Sequence, residues 1–220
     1  MYSKVEHIVH GVIFDLDGTI ADTEPLHYRA WKETLREYRV DFTLDNFVRV
    51  VGKGGEKTAE YILQTFGRLD SNDALVRKKR ERYMKLLAGV RPAKGAQQLI
   101  AGLRGKAKLG LATNSVRPSV LMTLKFLKLG SAFDALATGD EVREIKPAPD
   151  VYLLVLKKLG LKAASCIAVE DSLAGFQAAQ AAGLRCIVAP NKYMKGQEFP
   201  KALMVVESLA SLKAEQLLAL

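Results

Sequence analysis

Asp15 and Asp17 stand one residue apart at the end of an apolar run, in IVHGVIFDLDGT over residues 8–19. Carboxylates at that spacing can ligate a cation, attack an electrophile or carry a proton. They form the first of four polar clusters that each follow a strand-like stretch. Thr113, Asn114 and Ser115 close KLGLATNS, Lys146 opens KPAPD, and Glu170 and Asp171 follow the apolar IAV. Taken singly, these are a solvated turn, a helix cap, a solvated loop lysine and another capped helix start. A parallel sheet changes that reading, because it puts all four strand ends on one rim, where open α/β sheets bind ligands. Acids gathered there repel one another and need a cation. All-oxygen ligands beside a phosphate-sized partner favour magnesium. Asp15 and Asp171 are the best-placed carboxylate ligands, with the Asp17 backbone carbonyl adjacent and Glu170 either ligating or supporting. Lys146 balances charge on a nucleophile and on a transferring phosphoryl group. Thr113, Asn114 and Ser115 offer hydroxyl and amide groups to an anion at a helix mouth, where free backbone N–H groups also point.

These clusters need a sheet to hold them. Val12, Ile13 and Phe14 run without polar interruption, as in a strand buried on both faces. From Val90 onward strands alternate with helices: strands at 108–113, 135–138, 166–169, 185–189 and near 204–206, and helices including one from Pro118 to Gly130, one at 150–159 and one at 173–182. This predicts an α/β, Rossmann-like parallel-sheet core with helices on both faces. Residues 21–89 differ, with helical periodicity and no convincing strand alternation. Pro25 falls in a first helical turn, and Leu26, Ala30, Trp31, Leu35 and Tyr38 form one apolar stripe. Thr43 and Ser71 or Asn72 are candidate caps. The reading is a small all-helical cap inserted after the first strand, over a core of residues 1–20 and 90–220. Hinges are expected near 20–23 and 87–92.

Composition narrows the setting. In 220 residues no apolar run approaches a membrane span, and Met1 to Gly11 lacks the apolar centre of a signal peptide, so a cytoplasmic protein without membrane association is expected. Cys166 and Cys186 each lie in a strand-like run and read as reduced core residues. The net charge of +9 is spread along helical segments, densest in RKKRER at 77–82, with no aromatic-interleaved stripe. An anionic small molecule is a sufficient reason for such a field, and nucleic acid is not expected. A complete core plus lid can work as a monomer.

Five motifs together, DLDGT at 15–19, DTEPLHYRAW from Asp22, TNS from Thr113, KPAPD from Lys146 and EDSLAGFQAAQAAG from Glu170, resemble the haloacid dehalogenase superfamily in its β-phosphoglucomutase-like branch of phosphatases. The resemblance spans nearly the whole chain. It implies a covalent aspartyl phosphate on Asp15, with Asp17 protonating the leaving oxygen and then deprotonating the attacking water, which Thr19 helps to place. Thr113 and Lys146 would hold the phosphoryl oxygens, and magnesium would offset charge.

Dehalogenases and phosphonate hydrolases of this architecture resemble the chain but lack the second aspartate, and Asp17 is present. A phosphomutase shares the phosphoenzyme and hands it to a sugar hydroxyl. His27 falls at the position resembling a mutase-branch histidine, and Lys79 sits where a cap lysine would meet a second phosphate. Equally, His27 could line a helix interface and Lys79 could belong to a solvated charge run. The loop GKGGEKT, 52–58, departs from the mutase-like pattern, in which an arginine follows a valine-serine pair, although Lys53 or Lys57 could substitute. Its glycine spacing also fails the P-loop pattern. A non-catalytic phosphometabolite-binding protein would be expected to have lost Asp15 or the Glu170–Asp171 pair. The expectation is therefore a magnesium-dependent hydrolase of a small phosphate monoester such as a hexose phosphate, a pentulose bisphosphate or phosphoglycolate.

Overall fold

The computed structural model describes residues 9–67, 69–193 and 196–220. Most of the stretch in which a signal peptide was looked for therefore lies outside the described residues. In chain order the elements are β1 (Gly11–Phe14), β2 (Ala21–Asp22), α1 (Glu24–Arg36), α2 (Leu44–Val48), α3 (Gly55–Phe66), α4 (Asn72–Leu86), β3 (Arg91–Pro92), α5 (Ala96–Leu103), β4 (Lys108–Ala112), α6 (Arg117–Phe126), β5 (Ala135–Ala137), α7 (Asp150–Leu159), β6 (Cys166–Glu170), α8 (Leu173–Ala181), β7 (Arg185–Val188), β8 (Met204–Val205) and α9 (Ala214–Leu218). Six strands form one parallel sheet in the order β5-β4-β1-β6-β7-β8.

All four residues of β1 are buried, as the unbroken apolar run requires of a strand covered on both faces. The register sets Phe14 beside Leu111 and Val169, and the Asp15 N–H continues the ladder to the Val169 carbonyl at 3.0 Å. Leu99, Ile100 and Leu103 of α5, Val120 and Leu124 of α6 and Leu217 of α9 cover one face. Val151, Tyr152 and Val155 of α7 and Phe176 and Ala179 of α8 cover the other. The α/β, Rossmann-like expectation holds.

Helices α1–α4 bury their own apolar cluster, which includes Trp31, Leu35, Phe42, Phe47, Ile62 and Leu75. None is long enough to be stable alone in water, so this shared cluster holds them. Thr43 caps α2 reciprocally with Asn46, and Ser71 accepts from Ala74 N–H at the start of α4.

Two expectations are corrected. Residues 21–22 are extended and pair antiparallel with Arg91 and Pro92, because two-residue strands carry no periodicity to read. Helix α6 stops at Phe126 rather than Gly130, since Lys128 takes the left-handed conformation at φ 58° and breaks the hydrogen-bond ladder. Among the described residues no helix is long and apolar enough to cross a membrane.

Candidate active site

The carboxyl ends of β1, β4 and β6 and the turn before α7 form the floor of a cavity, and α1–α4 form its roof. Asp15, Glu170 and Asp171 come together on the floor, each offering a carboxylate oxygen within 4.8 Å of the others. All three are buried, with Glu170 the most deeply set. Their approach depends on two glycines. Gly18 has φ +84°, and a Cβ there would lie 2.0 Å from Asp171 Oδ2; a Cβ on Gly175 would lie 2.1 Å from the Glu170 carboxyl.

Lys146 is the cation of this floor. Its ammonium donates to Asp15 Oδ1 at 2.6 Å, Glu170 Oε1 at 2.7 Å and the Ala112 carbonyl at 2.8 Å. Those contacts use all three of its protons and commit the ammonium to the Asp15 and Glu170 carboxylates and the Ala112 carbonyl. Burial opposes its charge, but Asp15 and Glu170 more than offset that and hold its pKa well above the ordinary value. Asn114 fixes the lysine in place: its Oδ1 accepts from Lys146 N–H at 2.8 Å, and its Nδ2 donates to the Lys146 carbonyl at 3.4 Å. These two contacts use one donor and one acceptor of the Asn114 amide, and the residue still lines the cavity.

Burial pushes the Asp15 carboxyl up to about 7, with Lys146 opposing and Glu170 and Asp17 reinforcing. Asp171 is raised well above the carboxylate range by burial and by the charges of Asp15 and Glu170. A net excess of buried negative charge surrounded by oxygen donors fits a hard divalent cation, which would relieve both shifts.

Asp17 faces the other way. Its Oδ1 accepts from Thr23 Oγ1 at 2.7 Å and Tyr83 Oη at 3.4 Å, and its Oδ2 from Ser115 Oγ at 2.6 Å and Thr113 Oγ1 at 3.4 Å. Burial raises its pKa, yet the His27, Ser115 and Thr23 contacts outweigh that and hold it well below the usual range. The Asp17 side chain is thus separate from the Asp15, Glu170 and Asp171 cluster, which leaves only its backbone carbonyl for the metal role expected of it.

The roof presents a connected set of polar groups. His27 Nε2 lies 3.5 Å from Asp17 Oδ1, its ring stacks on Tyr83 with centroids 4.1 Å apart, and its Nδ1 lies 2.6 Å from Lys79 Nζ. Burial and the Lys79 charge lower the His27 pKa. A neutral ring can accept from Lys79 at Nδ1 and turn its Nε2–H toward Asp17. Burial also lowers Lys79 to about 8, against Asp17 and Glu24, which favour its charge. Glu24, buried in the first turn of α1, is raised to about 8 by burial and by Asp17.

Of the residues anticipated from sequence, the cavity lining includes Asp15, Asp17, His27, Lys79, Thr113, Asn114, Ser115, Lys146 and Asp171. Glu170 lies behind it, with Oε1 also accepting from Tyr152 Oη at 2.6 Å. Thr19 is buried outside the lining, and its hydroxyl has no partner among the described residues. Lys53 and Lys57 are exposed and do not line the cavity, because α3 begins inside the loop at Gly55, burying Thr58 and turning Lys57 outward. Glu24, Arg80 and Asn191 line it without having been singled out. Asn191 had a readable signal, three residues beyond the end of β7 on the same rim. Glu24 and Arg80 had none, since an acid in a first helical turn and one arginine in a basic run are both commonplace.

Known proteins resemble this chain over most of its length. Protein CbbY of Rhodobacter capsulatus is 38% identical over 206 residues, covering 87% of this chain and 89% of its own. Fructose-1-phosphate phosphatase YqaB of Escherichia coli is 32% identical, covering 80% of this chain and 94% of its own. The crystal structure of a mutant CbbY from Rhodobacter sphaeroides in complex with xylulose-(1,5)bisphosphate superposes with a TM-score of 0.85 at 33% identity, covering 93% of this chain and 96% of that one. Residues 12–189 match the haloacid dehalogenase-like hydrolases, the family to which this chain belongs.

Proposed function

We propose that the chain is a magnesium-dependent phosphatase that hydrolyses a small phosphorylated metabolite, of the sugar phosphate class, through an aspartyl phosphate on Asp15. The observation that carries this reading is the divergence of the two acids of the Asp-x-Asp pair. Asp15 lies against Lys146 in the acidic floor, and Asp17 turns to hydroxyl donors under the roof. One carboxylate is set to attack and the other to move a proton. The relatives support the substrate class, since one is named a fructose-1-phosphate phosphatase and another was crystallised with xylulose-(1,5)bisphosphate.

Asp15, Asp171 and the Asp17 carbonyl would hold magnesium, supported by Glu170. When bound, the cation supplies positive charge that offsets the charge on nucleophile and phosphoryl oxygens. A carboxylate oxygen of Asp15 attacks phosphorus and the bond from phosphorus to the ester oxygen breaks. Asp17 gives that oxygen its proton. Without substrate Asp17 is ionised, so it must exchange the Thr23 and Ser115 donors for the leaving group. A buried carboxylate stripped of such donors takes up a proton readily. Asp17 then removes a proton from water as that water attacks the aspartyl phosphate, and inorganic phosphate is released. Residues 21–89 serve as the lid over this chemistry, with His27 reaching Asp17 from it and Lys79 reaching His27.

Hydrolysis is favoured over transfer to a sugar hydroxyl because the Gly52–Thr58 loop gives the cavity glycines and Thr58 but no cation. The test is a phosphate-release screen over small phosphomonoesters with magnesium, beside an assay converting β-glucose 1-phosphate to glucose 6-phosphate. Rapid isomerisation with little released phosphate would replace hydrolysis by a mutase. Asp15→Asn is expected to abolish turnover, and residual activity in a clean preparation would refute the nucleophile.

A further inference from the structure

The segment after β7 joins the acidic floor to the helical roof within three residues. Ala189 N–H donates to the Glu170 carbonyl at 2.8 Å, which fixes where the segment starts, and Pro190 restricts its backbone. Asn191 Nδ2 then donates to Asp171 Oδ2 at 2.6 Å. The other end of the same amide, Oδ1, accepts from Tyr193 N–H at 2.9 Å. The orientation of the Asn191 amide is therefore set by the backbone of Tyr193. The Tyr193 ring leaves the core and packs edge-on against Phe47 of α2, with centroids 5.7 Å apart and planes at 86°. There it joins the apolar cluster of the roof, in which Tyr28 also meets Phe47 at 5.4 Å. A continuous chain of contacts thus runs from a roof aromatic, through one backbone N–H and one side-chain amide, to a carboxylate of the candidate metal site.

We propose that Asn191 is a positioning residue for Asp171, and that Tyr193 makes its hold depend on the seating of the roof on the core. This rests on the reading that Asp171 is a cation ligand. Asn191 occupies one lone pair of Asp171 Oδ2 and so restricts the rotation of that carboxylate beside Asp15 and Glu170. Lifting the roof withdraws Phe47 from Tyr193 and loosens the segment that aims the amide. Coupling between sites is reciprocal, so whatever draws the roof down tightens the cation, and the cation in turn favours the seated roof. The plainer reading makes Asn191 a turn former and Tyr193 filler, in which case neither changes affinity for the cation.

The test measures Mg2+ binding to the full chain by isothermal titration calorimetry, without substrate. Asn191→Ala is expected to weaken Mg2+ by about 10-fold or more, the usual cost of losing a hydrogen bond that orients a ligand. Tyr193→Ala and Phe47→Ala should each weaken it by a smaller factor, and that factor should vanish when either is combined with Asn191→Ala. Tyr193→Phe, which keeps the ring, should bind as wild type. Circular dichroism checks that each variant is folded. If Phe47→Ala is not, the half-buried Tyr193 carries the comparison alone. An Asn191→Ala protein within twofold of wild type overturns the proposal, as does a Tyr193→Ala loss that persists undiminished in the Asn191→Ala background. Absence of Mg2+ binding by wild type overturns this proposal and the magnesium assignment together. The expected pattern in a protein that releases phosphate from no ester would leave this coupling standing and refute the proposed activity alone.

Discussion

Replacing Lys146 by Met tests the electrostatic logic of the floor. The lysine side chain is 4% exposed and its partners Asp15 and Glu170 are 9% and 0% exposed, so its removal strips a charge partner from largely buried carboxylates. At contacts of 2.6 and 2.7 Å, each pair is worth about 6 kcal/mol of gross Coulomb attraction at an effective dielectric constant of about 20. Desolvation of the lysine offsets much of this, and stripping one partner from a buried pair costs about 3–5 kcal/mol net. For a chain of this size that lowers the melting temperature by roughly 10 °C. The loss depends on pH. Asp15 has a folded-state pKa raised to about 7, so the folded protein binds its proton more tightly than the unfolded chain, and stability falls as pH rises through the interval between the two. Above about pH 7 the wild-type carboxylate ionises against Lys146, whereas the variant either ionises it unpaired or goes on holding the proton. Below that, both proteins carry the proton. Calorimetric melting of both proteins in chelator should therefore show the full gap at pH 8 and a narrower one at pH 5.5, where the Lys146–Glu170 contact is still lost. A gap under about 2 °C at pH 8, or one that does not narrow in acid, would refute the reasoning.

Three further outcomes follow from the same contacts. Lys79, lowered to about 8, loses its charge as pH rises through that value, so KM for an anionic substrate should climb there, and Lys79→Met should raise KM at lower pH and flatten the limb. Gly18→Ala forces a left-handed alanine at a backbone cost of about 1–2 kcal/mol and pushes the Asp171 carboxylate aside; chemical denaturation should show the first effect and Mg2+ titration the second. Gly175→Ala drives a methyl group into the Glu170 carboxyl, and denaturation should show a loss of about 1–3 kcal/mol with no backbone penalty, because Gly175 lies inside α8.

The sheet and its polar rim were legible because strand ends obey a simple rule. An apolar run such as VIF or IAV, stopping at Asp15 or Glu170, marks both the strand and the side on which its chemistry must lie. The roof obeys no such rule. In α4 only Leu75 and Tyr83 are buried, too few to fix which face of the helix looks inward. Five basic residues occur between 77 and 82. Lys79 and Arg80 line the cavity, while Lys78 and Arg82 pair with Glu37 on the outside, and periodicity alone does not sort them. The same ambiguity made Lys53 and Lys57 look like substrate groups until the start of α3 at Gly55 turned them to solvent. Asn114 shows a different limit. Its position at a strand end was readable, but its commitment to the Lys146 backbone depends on a loop 32 residues away.

The short ribbon of β2 and β3 has a mechanical consequence. Ala21 pairs with Pro92 and Asp22 with Arg91, so the chain leaves the sheet domain and re-enters it at hydrogen-bonded neighbours. Everything from 23 to 90 hangs from what is, in effect, a single clamp. The entropy of closing such a loop grows only logarithmically with its length, and the clamp fixes the ends whatever lies between them. The sheet therefore works as a socket: a longer, shorter or foreign helical segment spliced between Asp22 and Arg91 would leave the strand register, and with it the pair of aspartates, undisturbed.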